Sequence, residues 1–287
     1  MTEGRIVKGV GGLYVVAVRG GFVFCRPRGI LRKQRVSPVV GDIALITEGK
    51  DGETGSIESV LERKNELLRP RVANVDLVAV VCAADTVNLF SLDRYLVILE
   101  EQTTTGPFEI CLLINKRDLA DETYIGHMRD IYETAGYRVI TTDTVTKGGT
   151  DALVSLFRGK TTVLAGESGA GKSSIINALC DNYVMAVGEL SKKIPRGKHT
   201  TRHAEMFMTD TDSFVADTPG FASVTITATR DAIARCFREF APHTDACRFA
   251  DCRHIHEPGC SVREHMEAGI SRTRYEHYVS FYTEAGK

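Results

Sequence analysis

Residues 161–178, TTVLAGESGAGKSSIINA, constrain the fold more tightly than any other stretch of the chain. They read as an apolar strand over 161–165, a glycine-bearing loop and an amphipathic helix starting near Lys172. Gly166, Gly171, Lys172 and Ser173 match the spacing G-x-x-x-x-G-K-[ST], in the strand–loop–helix context that this spacing needs. A triphosphate is densely anionic, so a loop that holds one must offer several backbone N–H groups at hydrogen-bonding distance, which small residues in unusual conformations allow. Gly166, Gly169, Ala170 and Gly171 meet that demand, and Glu167, Ser168 and Ser174 complete the candidate set. The helix start adds partial positive charge, Lys172 reaches the β and γ phosphates, and the Ser173 hydroxyl is a candidate Mg²⁺ ligand. An ordinary Gly/Ser turn would explain the composition, but not the register of strand, loop and helix.

Two further elements belong with this loop. Asn115-Lys116-Arg117-Asp118 directly follows an apolar strand over 109–114. An Asp in this pattern accepts from the N1–H and exocyclic amine of guanine, a pairing adenine lacks, while the Lys packs on the ring. Standing alone, NKRD would suit any polar turn; at a strand's end, in a chain with a phosphate loop, it points to guanine. Asp217-Thr218-Pro219-Gly220 ends the apolar run 214–216, where Asp217 can hold Mg²⁺ through water and the Gly220 N–H can meet a γ phosphate. The polar, basic stretch 191–203 carries Thr200 and Thr201, either of which is placed to complete a Mg²⁺ shell.

The flanking regions differ in texture. From Arg5 to about Leu68, short β-prone runs (14–18, 22–25, 43–47, 56–60) are broken by Gly, Pro and Asp, which predicts a small all-β barrel of OB type without helices. Between two runs lies RPRGILRKQR, whose Arg26, Arg28, Arg32, Lys33 and Arg35 make an RNA-contacting edge or a solvated charged loop. Residues 69–71 read as a linker. Beyond it, strands at 77–83, 109–114 and 137–141 alternate with helices at 92–101, capped by Ser91, and 122–135, the pattern of a helix-covered parallel sheet. The order is anomalous for a GTPase, because NKRD precedes the phosphate loop and DTPG comes last. Strand ends of a parallel sheet converge on one edge whatever their chain order, so a circularly permuted sheet assembles the same site.

Near the carboxyl end, Cys247, Cys252, His254 and Cys260 fall within fourteen residues, flanked by expected helices at 230–240 and 262–282. Three thiolates and an imidazole suit a closed tetrahedral zinc site in a segment with little core of its own. His256 is an alternative fourth ligand. Tyr275, Tyr278 and Tyr282 share a helix face and read as core. The formal charge is −1 over 287 residues, so no global polycation announces nucleic acid; residues 1–69 nonetheless carry twelve Lys and Arg against eight Asp and Glu. The amino terminus lacks the apolar core of a signal peptide and the longest apolar run, 77–84, is too short to span a bilayer, so a cytoplasmic protein is expected.

Barrel, NKRD before GESGAGKS, DTPG and the Cys/Cys/His/Cys cluster together resemble the circularly permuted GTPases of small-ribosomal-subunit biogenesis, the RsgA (YjeQ/YloQ) family. The resemblance implies an OB-fold barrel over 1–69, a permuted α/β P-loop GTPase domain over 70–228 and a helical zinc-binding domain over 229–287. It also implies GTP and GDP binding, Mg²⁺, one structural Zn²⁺, contact with ribosomal RNA, and a weak GTPase, expected to be monomeric, that the small subunit stimulates late in its maturation. After DTPG, Phe221 stands where many GTPases carry a water-orienting Gln, and by resemblance His199 becomes the catalytic candidate beside Lys172. Two other classes stay open at this point: a P-loop ATPase or small-molecule kinase with a coincidental NKRD, and an RNA-binding scaffold whose nucleotide site is only structural.

Overall fold

A computed structural model describes residues 1–49, 53–68, 71–144, 148–179, 204–210, 212–217 and 225–285. They divide into two compact units, with strand β8 (Leu77–Ala83) contributing its first residues to one and its last to the other.

In the first unit, β1 (Thr2–Val10), β2 (Leu13–Val18), β3 (Gly21–Pro27), β4 (Ile43–Thr47) and β5 (Gly55–Val60) form a closed barrel in the order β1-β2-β3-β5-β4. Closure removes the unpaired edges that an open sheet of this size would expose. Ile6, Val16, Cys25, Ala44, Ile46 and Ile57 fill the interior together with Leu31. Leu31 explains one departure from the sequence expectation: the basic segment is not all loop but contains a short helix, α1 (Gly29–Lys33), that turns Leu31 inward. Ile30, next to it, is 52% exposed, and Arg26, Arg28, Arg32, Lys33 and Arg35 surround it at the surface. Where a linker was expected, β6 (Glu66–Leu68) and β7 (Arg71–Ala73) pair antiparallel, Leu68 with Arg71.

The same unit holds α4 (Thr150–Phe157), β11 (Thr161–Ala165), α5 (Lys172–Leu179), β12 (Glu205–Asp210) and β13 (Ser213–Asp217). β11 and β13 run parallel, whereas the edge strand β12 pairs antiparallel with β13, so the sheet is mixed where a parallel one was expected. β1 of the barrel meets this edge directly. Lys8 Nζ lies 2.6 Å from a Glu205 carboxylate oxygen, and the Arg5 guanidinium sits 4.9 Å from the centre of the Phe214 ring.

The second unit contains the strand order β10-β9-β8, with β9 (Glu109–Asn115) and β10 (Arg138–Thr141) parallel, and helices α2 (Leu89–Thr103) and α3 (Glu122–Thr134). Leu92, Tyr95, Leu96 and Leu99 bury the face of α2 that their spacing predicts. Its cap is Asn88, whose side chain accepts from the Ser91 N–H, not Ser91 itself; Asn88 has the extended backbone a cap requires, and Ser91 already lies inside the helix.

The carboxyl-terminal helices are shorter than expected: α6 (Arg230–Arg235), α7 (Ala241–Thr244), α8 (Ser261–Glu264) and α9 (Arg272–Glu284). Left-handed backbone at Glu267 and Gly269 interrupts what the sequence suggested was one helix. Tyr275 and Tyr278 are buried in this core with Ile233, Phe237, Phe240, Val262 and Phe281, as expected of core tyrosines. Arg274, 1% exposed, joins α9 to α2 and to Glu239: its guanidinium bonds both Glu239 oxygens, at 2.5 and 3.1 Å, and one oxygen of Asp93. The other Asp93 oxygen lies 2.6 Å from His277 Nδ1.

Candidate functional site

The phosphate loop starts where buried β11 ends. Gly166, Gly169 and Gly171 have φ of 142°, 83° and 97°, the region that glycine enters without steric cost. Gly171 has a second constraint, since a Cβ there would lie 2.1 Å from Asn115 Nδ2. Lys172, the first residue of α5, is only 8% exposed, and its ammonium donates to the Gly166 and Glu167 carbonyls, both at 2.9 Å. Burial lowers its pKa, while the negative charge of Asp217 works in the opposite direction. A buried ammonium clasped by main-chain carbonyls, inside a loop of left-handed glycines, has the donor chemistry a polyphosphate needs. Glu167, Ser168, Ser173 and Ser174 face solvent around it, and Asp217 closes β13.

The NKRD element is tied to this loop by its first residue. Asn115, 1% exposed at the end of β9, donates from Nδ2 to the Ala170 carbonyl at 2.9 Å and accepts on Oδ1 from the Thr142 hydroxyl at 3.1 Å. Its own carbonyl accepts from the Ala84 N–H. Asn115 therefore braces the loop. Lys116 takes left-handed φ of 58° and turns the chain into a single 3₁₀ turn, Arg117–Leu119, which leaves the Asp118 side chain exposed and open to a ligand. Thr142 is a positioning residue the motif search does not nominate. The signal available for it is its place directly after β10, the neighbour of β9. His199, Thr200, Thr201 and Gly220 lie outside the described residues.

The second cluster is in the carboxyl-terminal part. One donor atom from each of Cys247, Cys252, His254 and Cys260 lies within 4.8 Å of all the others. His254 Nδ1 is 3.6 Å from Cys247 Sγ and 3.4 Å from Cys260 Sγ. His254 reaches this position through left-handed backbone, with its carbonyl accepting from the Tyr275 hydroxyl at 2.7 Å. His256 is exposed and outside the cluster, so the choice between the two histidines falls to His254. Glu257 gathers the loop, accepting from the N–H groups of Arg253, Ile255 and His256 at 3.0–3.1 Å. Burial opposes its charge, yet these donors hold its pKa down to about 2. Burial pushes the Cys252 thiol up to about 12 and raises Cys260 as well, so thiolates here call for a cation. Four soft donors so spaced can hold one metal ion.

Strand, phosphate loop and helix, preceded in the chain by an NKxD element that reaches back to brace the loop, define a circularly permuted P-loop GTPase. Family models agree in order and extent: the RsgA N-terminal domain matches residues 3–57 and the RsgA GTPase matches 60–227. The chain belongs to the RsgA GTPase family, and GTP hydrolysis is the reaction its central domain supports. The small ribosomal subunit biogenesis GTPase RsgA of Agathobacter rectalis is 41% identical over 299 residues, covering 98% of this chain and 97% of that protein. Among solved structures, YjeQ from Thermotoga maritima is 32% identical with a TM-score of 0.79, over 99% of this chain and 98% of that one. YloQ, a circularly permuted GTPase, is also 32% identical, with a TM-score of 0.77, over 100% and 95%.

Proposed function

We propose that this chain is a Mg²⁺-dependent GTPase that binds the small ribosomal subunit late in its maturation and leaves when subunit-stimulated hydrolysis converts GTP to GDP. The observation that supports the proposal is the hydrogen bond from Asn115 Nδ2, in the NKRD turn, to the Ala170 carbonyl of the phosphate loop. Relatives of near-equal length at about 40% identity are named for small-subunit biogenesis, which supplies the partner.

In this reading Lys172 exchanges its two carbonyls for β and γ phosphate oxygens, Asp118 accepts from the guanine N1–H and amine, and Lys116 covers the ring. Ser173, Asp217 and one of Thr200 and Thr201 surround Mg²⁺, and Gly220 meets the γ phosphate. Mg²⁺ held there would neutralise the charge that develops on the phosphates. His199 orients the attacking water in place of the Gln that Phe221 replaces. Cys247, Cys252, His254 and Cys260 hold one structural Zn²⁺. In this reading the chain divides into barrel 1–69, GTPase domain 70–228 and zinc domain 229–287, with the exposed basic residues around α1 as the ribosomal RNA contact. No helix among the described residues is long and apolar enough to cross a membrane; the reading takes the protein as a cytoplasmic monomer working on ribosomal particles.

Steady-state hydrolysis of GTP and ATP, each with and without small subunits, tests the proposal. Slow GTP turnover that rises steeply with subunits supports it, and Asp118→Asn should remove the preference for guanine. Turnover indifferent to subunits removes the partner, and a preference for ATP removes the base assignment.

A further inference from the structure

Lys8 belongs to the barrel, but its ammonium does not serve the barrel. The pairing of β1 with β2 shifts register between Ile6 and Lys8, a bulge of the kind that re-aims a side chain. The ammonium points at the β12–β13 ladder and lies 2.6 Å from Glu205, the first residue of β12. In the antiparallel register Glu205 stands directly across from Asp217. Cross-strand partners project on the same face, so two carboxylates are neighbours here, an arrangement that is unfavourable unless one is neutralised. Arg5, three residues earlier, packs over Phe214, which by strand alternation projects on the opposite face of the same ladder. β1 thus grips both faces of the hairpin that ends in Asp217.

We propose that Lys8 is a positioning residue for the nucleotide reaction: by holding Glu205, it keeps that carboxylate from bearing on Asp217 and fixes the strand end from which Asp217 serves Mg²⁺. A barrel residue far from the phosphate loop in sequence thereby tunes the metal, and anything that displaces β1 changes Mg²⁺ affinity. The inference rests on the assignment of Asp217 to the Mg²⁺ shell.

The test is release of a fluorescent GTP analogue from the full-length protein, followed by stopped flow across a Mg²⁺ titration. Wild type, Lys8→Met, Lys8→Arg and Asp217→Asn are compared, with thermal melts to establish folding. Lys8→Met should raise the Mg²⁺ concentration for half-maximal retention about 3- to 10-fold, the range expected of a coupled residue outside the site. Lys8→Arg should restore it to near the wild-type value, because the guanidinium keeps the ion pair. If Asp217→Asn shifts the titration and Lys8→Met does not, Lys8 is a surface pair and the inference falls alone. A Lys8→Met shift that Lys8→Arg fails to restore also overturns it, since the pair is then not the agent. If Asp217→Asn leaves the titration unmoved, the Mg²⁺ assignment fails and the inference falls with it.

Discussion

Two contacts between remote parts of the chain are built on opposite principles. At the β12–β13 ladder, β1 contributes the ion pair Lys8–Glu205, whose side chains keep 20% and 31% of their exposure, and a cation–π contact from Arg5 to Phe214. At α2, Arg274 pairs with both Asp93 and Glu239 out of contact with water and lies 5.0 Å from the Phe237 ring and 5.4 Å from that of Tyr132. An exposed pair gains little and loses little when it breaks, because water replaces each partner. A buried charge has no such substitute: removing one member strands the others in a low dielectric. The edge contact is therefore adjustable, and the α2 contact is all-or-none.

The largest effect should come from breaking the hub. Arg274→Met leaves Glu239 buried without a cation and Asp93 with only its His277 contact, and should cost about 3–5 kcal/mol in denaturant unfolding. Replacing all three residues with apolar ones of similar volume should recover most of that loss, a result that would separate burial of charge from loss of packing. A smaller loss, about 1 kcal/mol, is expected for Tyr275→Phe, which removes the hydroxyl donated to the His254 carbonyl. Acid should act on the same region through Glu257. Its folded pKa of about 2 lies below the ordinary carboxylate value of 4.5, so its contribution is complete above about pH 4.5 and disappears as pH falls toward 2. Glu257→Gln should flatten thermal stability across that window, by about 1 kcal/mol after allowance for solvent screening.

What the sequence disclosed of these two contacts was uneven, for a physical reason. Phosphate loop, NKRD and the Cys/His set are short-range patterns, in which spacing alone points to chemistry; Asn115 bonds the loop, Lys172 two of its carbonyls, and His254 lies with the three cysteines. The barrel was legible from its turn residues and its β-prone runs. The hub and the edge contact were not, because each joins residues remote in sequence whose types are unremarkable alone: Lys8 with Glu205, and Asp93 with Arg274. Thr142 was missed for the same reason, its hydroxyl mattering only once β9 and β10 are neighbours. Helix ends failed locally instead. The run 262–282 carries apolar spacing throughout, and only the left-handed residues at 267 and 269 show that α9 starts later.

The smallest expected effect is the most discriminating. Lys8→Met removes a partly exposed pair, so its cost in unfolding free energy should be no more than about 1 kcal/mol and should shrink as salt is raised from about 0.05 to about 0.5 M, over which the Debye length falls roughly three-fold. Denaturant titrations of wild type and Lys8→Met at both ends of that range check it. A loss of about 3 kcal/mol, insensitive to salt, would mean that the barrel edge behaves energetically like the Arg274 hub. A small, salt-sensitive loss would place the two contacts on different energy scales. Only a contact on the lower scale can be moved by a ligand on the barrel, because a ligand shifts an equilibrium by no more than its own difference in affinity for the two states.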